Sequence, residues 1–353
     1  MKERNLFWDN YKGILIFLVV FGHFLYSYSS YHIGSLVNDI VVFIYTFHMA
    51  AFIFVSGYFS KKDSSSKSLI KLLLYYFVFN TAMMLFLYFL KGKDISLLNP
   101  YNSYWYILSL VFWRFCIKKI SIVKGIVPIS IIIALLIGYW NELENILTIR
   151  RTIAFFPFFL VGYKISKDRV ENFLNKRNYK HVILGIVFGI LFGSLLMLFI
   201  RNNVITEEIF LLRYYENSTD FMWRILLFII ASIVICVLLL IIPNKKIPLL
   251  TKIGKNSLLI YLFHRFITIL FVYVFPVNNY SLKYILYAFI ASILTVIVCG
   301  GDKINNYISS LFDKISHEIV NGKDKKSDII KTGIFIILII LLLVKPFEII
   351  FKN

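Results

Sequence analysis

Long apolar runs alternate with short polar stretches along the whole chain, a pattern that predicts membrane-crossing helices rather than a soluble core. Candidate spans are 11–30, 37–59, 69–90, 103–116, 122–140, 151–165, 181–200, 221–242, 257–276, 281–300 and 330–347. The run at 103–116 is short, and Pro157 interrupts the one at 151–165. The longest polar stretches, at 164–180, 201–220 and 301–329, are too small to bury cores of their own. Segment 303–319 has a different pattern: Ile304, Tyr307, Ile308, Leu311, Ile315 and Ile319 recur at helical spacing, with Lys303, Asn306, Asp313 and Lys314 on the other face. It predicts a helix lying flat on the inner membrane surface, with a solvated linker helix as the plainer alternative. The fold class expected is an all-α polytopic membrane protein, with the lipid bilayer as its first partner.

Composition agrees with that class: 59% of the 353 residues are hydrophobic, 16% are charged, and mean hydropathy is +0.78. The net charge of +19 changes the picture only when its placement is followed. With the N-terminus cytoplasmic, 27 lysines and arginines fall on inside segments and 10 on outside ones, leaving Arg265 within a span. The positive-inside rule accounts for this basicity, so nucleic acid is not an expected partner. The first segment has a basic start and an apolar run but no clear small-x-small cleavage site, and is read as a retained helix. Cys116, Cys236 and Cys299 show no metal-ligand spacing and are expected as buried packing residues, and no metal is expected.

Ionisable residues inside the spans carry the candidate chemistry. Lys12 and His23 are eleven residues apart, three helical turns plus about 20°, which puts both on one face about 16 Å apart along the axis. Asp9, three residues before Lys12, can pair with it. Lysine at a membrane border is ordinary snorkelling. An imidazole halfway through a span is not, because ionisable groups there face a cavity or a partner. His48 and His264 also fall within spans, and three such histidines favour a polar cavity over three separate structural roles. Trp105 and its neighbouring tyrosines read either as an interfacial aromatic belt or as a sugar-stacking surface. Arg150 and Arg151 open the Pro157 segment on the face where cations are otherwise scarce.

Four stretches carry a family resemblance. Asp9, Lys12, Gly13 and His23 follow an Asp-x-x-Arg-Gly pattern with a histidine ten residues further on, Lys12 standing in for arginine. Phe47, His48 and Met49, then Phe52 to Tyr58, follow a second-helix pattern ending in Ser56-Gly57-Tyr58, with Ala50 where proline is usual. Arg151, Phe155, Phe156, Pro157, Phe158, Phe159, Gly162 and Tyr163 match a third, and "GKNSLLIYLFH" (254–264) a fourth. In this order they resemble the acyltransferase family 3 membrane proteins, in particular the fucose 4-O-acetylase-like branch.

The resemblance implies a bundle of about ten core transmembrane helices over residues 1–300. A cytoplasmic amphipathic linker (301–328) and one additional C-terminal transmembrane helix (329–353) would follow. It implies an O-acyltransferase, with acetyl-CoA as donor and a hydroxyl of a surface polysaccharide or lipid-linked glycan as acceptor. Polysaccharide biosynthesis proteins would be candidate partners. His23 is then the catalytic base or a covalent acyl carrier, with Asp9 and Lys12 beside it in the catalytic set. Lys12, Lys67 and Lys71 would hold the anionic ends of CoA, lysine supplying a point charge where arginine would give a fork. His48, Ser56, Tyr58, Trp105, Arg151, Tyr261 and His264 would bind the acceptor. Heavy use of Ile, Lys, Asn and Phe hints at an AT-rich bacterial genome, hence a plasma-membrane setting. A polysaccharide exporter or lipid-linked sugar flippase is the rival, and a scaffold subunit a weaker third reading. The Asp9–Lys12–His23 register has no evident use in either.

Overall fold

A computed structural model describes residues 5–29, 35–61, 65–92, 100–140, 147–206, 214–275 and 282–321. Among these residues there are helices and turns and no strands. The helices are α1 (Leu6–Ser29), α2 (Leu36–Tyr45), α3 (His48–Ser60), α4 (Ser66–Lys91), α5 (Trp105–Ile120), α6 (Ile126–Leu136) and α7 (Ile149–Lys164). They continue with α8 (Lys167–Lys176), α9 (Tyr179–Arg201), α10 (Phe221–Ile241), α11 (Pro248–Lys255), α12 (Ser257–Val274), α13 (Leu282–Cys299) and α14 (Asp302–Asn321). Several boundaries follow local chemistry. Ser35, Ser65 and Ser166 cap the first turns of α2, α4 and α8, Asn178 and His181 form a capping box on α9, and Gly92 ends α4 at φ +62°.

Six helical segments of the described residues are long and apolar enough to cross a membrane, and a seventh if α13 and α14, bent by 54° at their junction, are one broken span. The chain is thus a multi-pass membrane protein. The expected spans at 103–116, 122–140 and 151–165 are helical, but α5, α6 and α7 are each shorter than a typical span. The eleventh expected helix lies outside the described residues. Residues 37–59 form a crossing segment as expected (Leu36–Ser60), made of two helices broken at Thr46–Phe47. Cys236 corrects another expectation: it is exposed, while Cys299 is buried and Cys116 intermediate. It lies on α10, where apolar Met222, Trp223 and Ile229 are exposed too, a face suited to lipid.

The chain divides into two compact units. The first comprises 1–58, 161–212 and 217–305, the second 59–160, 213–216 and 306–353. In the first unit α1 packs against α2, α11, α12 and α13, and α9 packs against α2 and α10. Two glycines explain the close approach at the start of α1. A Cβ on Gly254 would overlap the Asp9 carbonyl oxygen, and one on Gly13 would meet the Leu250 carbonyl oxygen. Small residues let helix backbones approach in this way. Asn10 ties the same region together: its amide donates to the carbonyls of Pro243 (2.9 Å) and Lys245 (2.8 Å) and accepts from Thr251 Oγ1 (2.7 Å). Between α11 and α12, Asn256 donates to the Gly300 carbonyl at 2.8 Å and to Asp302 at 3.0 Å. With Lys255, that bond holds the Asp302 carboxyl below its usual value.

In the second unit α4 packs on α5. Tyr75 stacks on Phe312 of α14 with centroids 4.2 Å apart, and Lys71 pairs with Asp313 at 2.8 Å. The apolar positions expected to face the membrane on α14, Tyr307, Leu311 and Ile315, are exposed, whereas Phe312 and Ile319 are buried.

Gly254→Val should lower the apparent melting temperature in detergent, by an amount equivalent to about 1–3 kcal/mol of overpacking. Gly193→Ala, whose added Cβ would meet only the Phe43 ring at 3.8 Å, should leave it unchanged or raise it slightly. Equal melting temperatures for Gly254→Val and the parent protein would disprove the close approach.

Candidate active site

Three intramembrane histidines of distant sequence position lie together in the first unit. His23 is partly exposed, while His48 and His264 are 2% and 0% exposed. The rings of His23 and His264 stack with centroids 5.1 Å apart at 29°. Tyr45, the last residue of α2, joins the group: its hydroxyl is 2.9 Å from His23 Nδ1, its ring meets His23 edge-on at 5.8 Å, and it lies 4.7 Å from the His48 ring. Gly22 makes room for it, since a Cβ there would come within 2.9 Å of the Tyr45 ring.

Hydrogen bonds to backbone settle the tautomers of two rings, because a carbonyl only accepts. His48 Nδ1–H donates to the Ile44 carbonyl at 2.8 Å and His264 Nδ1–H to the Tyr261 carbonyl at 2.7 Å. In the neutral rings, Nε2 of both then carries the lone pair. His264 Nε2 is buried and has no hydrogen-bond partner. Ser27 and Thr268 hydroxyls donate to the carbonyls of His23 and His264, both at 2.8 Å. The Arg265 guanidinium, 5% exposed, is close enough to His23 and Tyr45 to act on both electrostatically. The cluster can therefore accept protons, donate hydrogen bonds and stabilise a developing negative charge.

Asp9 and Lys12 form the expected pair at 3.0 Å, with Asp9 3% exposed. They sit on the same continuous helix as His23, eleven residues before it in the case of Lys12. The other expected residues of this unit serve packing as well: Ser56 Oγ donates to the Phe52 carbonyl at 2.8 Å, Tyr58 lies 4.6 Å from the Trp8 ring, and Tyr261 is buried beside His264.

Lys67, Lys71, Trp105 and Arg151 belong to the second unit. Trp105 is buried and stacked on Phe155 at 5.4 Å, with the Arg151 guanidinium 5.9 Å from the centre of its ring. Lys71 is engaged by Asp313 and by Ser309 Oγ at 3.0 Å. Lys67 lines a groove of about 510 Å³ with Ser309, Asp313, Lys314, His317 and Glu318. No group of acidic, histidine or cysteine side chains suited to a metal ion occurs among the described residues.

Tyr45 and Arg265 are the site residues that sequence reasoning passed over. An arginine inside a span is a legible signal. Tyr45 is one of 23 tyrosines in an aromatic-rich chain, and nothing in its local pattern marks it.

The family model described as an acyltransferase domain matches residues 5–300, a range that takes in the whole histidine cluster. No curated protein and no solved structure matches the chain.

Tyr45→Phe should keep the ring packing and leave the melting temperature nearly unchanged. In protein with ¹⁵N-labelled histidine it should move the His23 Nδ1 resonance while those of His264 stay in place. An unmoved His23 signal would mean that the hydroxyl does not engage that ring.

Proposed function

The chain belongs to the acyltransferase domain family and is a membrane acyltransferase, and from that premise we propose that it is an O-acetyltransferase. In this reading the donor is cytoplasmic acetyl-CoA and the acceptor is a hydroxyl of a surface polysaccharide or lipid-linked glycan. A bacterial plasma membrane, a cytoplasmic N-terminus and about ten core spans complete the proposal. The observation that supports it most is the partly exposed His23, held through Nδ1 by Tyr45, inside a cluster that also contains His264 and Arg265.

The reaction balances on His23. Donation from Nδ1–H to the Tyr45 oxygen would leave Nε2 as the base. His23 Nε2 takes the proton of the acceptor hydroxyl as its oxygen attacks the thioester carbonyl carbon. The tetrahedral oxyanion forms in the field of Arg265. Its collapse breaks the carbon–sulfur bond, and the departing thiolate recovers the proton from His23, giving an O-acetyl ester and free CoA. Lys12, positioned by Asp9, would hold a phosphate of the donor as a point charge.

Protein reconstituted in liposomes should release CoA from acetyl-CoA in an acceptor-dependent way. His23→Ala should lower kcat by at least about 100-fold with the fold intact, the scale of a lost general base. Normal glycan acetylation in cells carrying that variant would reject the assignment, and lost export with normal acetylation would favour the flippase. Lys12→Glu should raise KM for acetyl-CoA by more than that for acceptor, and equal rises would count against donor binding at Lys12.

A further inference from the structure

His264 has no task in the reaction just described, yet it is built with care. Its Nδ1–H is committed to the Tyr261 carbonyl at 2.7 Å, the residue has no exposed surface, and its Nε2 faces no partner. A buried polar atom left without a hydrogen bond costs about 1–3 kcal/mol. Native proteins accept few such groups, and a role toward a ligand is one of the explanations for them. What the ligand must bring follows from the tautomer. In the neutral ring Nε2 is a lone-pair acceptor, so the missing partner is a donor, an O–H or N–H of the bound molecule.

The position narrows it further. The His264 and His23 rings are stacked with centroids 5.1 Å apart, so a molecule held at one ring is within reach of the other. Each spends its Nδ1 on the protein, His23 on Tyr45 and His264 on its own helix backbone. With rings this close, hydrogen bonds about 2.8 Å long from the two imidazoles can reach oxygens borne by adjacent carbons. One oxygen would lose its proton to His23 and react. Its neighbour would keep its proton and donate to His264.

On this basis, which rests on the acyl-transfer reading, we infer that the acceptor is a vicinal diol and that His264 reads the second hydroxyl. The residue then sets specificity. An acceptor with a single hydroxyl leaves His264 Nε2 unpaired in the reacting complex, and sites built to bond a substrate hydroxyl discriminate strongly against analogues lacking it. A methyl ether in its place, which accepts but cannot donate, is equally mismatched to a lone pair.

The test uses full-length protein in liposomes with acetyl-CoA and three small acceptors: cis-1,2-cyclohexanediol, its monomethyl ether and cyclohexanol. Wild-type protein should favour the diol in kcat/KM by at least 10-fold over both others, well beyond the twofold expected from having two hydroxyls. His264→Phe keeps an aromatic ring against His23 and removes the acceptor. It should reduce the preference to about twofold, because kcat/KM for the diol falls further than kcat/KM for cyclohexanol. His264→Gln, whose amide oxygen accepts, should restore part of the preference and serves if the phenylalanine variant is unstable. Equal kcat/KM for diol and ether in the wild type overturns the inference, as does an equal loss on all three acceptors in the variants. Wild-type protein that acetylates none of them while releasing CoA with a glycan acceptor overturns this inference alone, whereas no CoA release with any acceptor sinks the acyl-transfer reading too.

Discussion

The contact on which the first unit depends is a bare one, between the backbone of α1 and the α11–α12 region, closed at Gly13 and Gly254. Dispersion forces fall off steeply with separation, so side-chain-free positions are where two helices gain most from approaching. That approach sets the register of α12 on α1. His264, ten residues after Gly254 and beyond the break at Asn256, stacks on His23, ten residues after Gly13. Gly22 repeats the device one residue before His23, where the absent side chain leaves space for the Tyr45 ring.

Polar residues in these apolar surroundings bind backbone first. Asn10 takes two carbonyls of the segment preceding α11, Asn256 one at the end of α13, and Asn305 those of Cys299 and Gly301, both at 2.9 Å. Each interruption of helical bonding strands carbonyl groups that lipid cannot satisfy. An asparagine with two donors answers that need at these three places, and the histidine cluster lies in the same unit. Arginine and histidine there are positioned by structure that is already hydrogen-bonded, which is what preorganisation requires.

Much of this was legible in the chain. Apolar run length marked most helices, the interior histidines pointed to the cluster they form, and Asp9 and Lys12 pair as their spacing implies. What was not legible is long-range or masked by uniform hydropathy. The break after Tyr45 lies in "VVFIYTFHMAAF", where no proline, glycine or charge interrupts the pattern. Lys71 and Asp313 are far apart in sequence, so their ion pair could not be foreseen, nor could the burial of Trp105 against Phe155. Cys236 sits in an apolar helix like the other cysteines, but hydropathy alone does not distinguish a face turned to lipid from one turned to protein.

That break after Tyr45 has a consequence for His48. Where α2 stops, the Thr46 hydroxyl caps the Phe43 carbonyl at 2.7 Å and His48 Nδ1–H caps that of Ile44. One nitrogen of this imidazole is therefore committed to the turn, which leaves only the opposite nitrogen for any other partner. Side chains lacking a donor would loosen the first turn of α3, and with it the segment bearing Tyr45, before touching any reacting atom. Asparagine or glutamine, which can still reach back to a carbonyl, would separate the two duties.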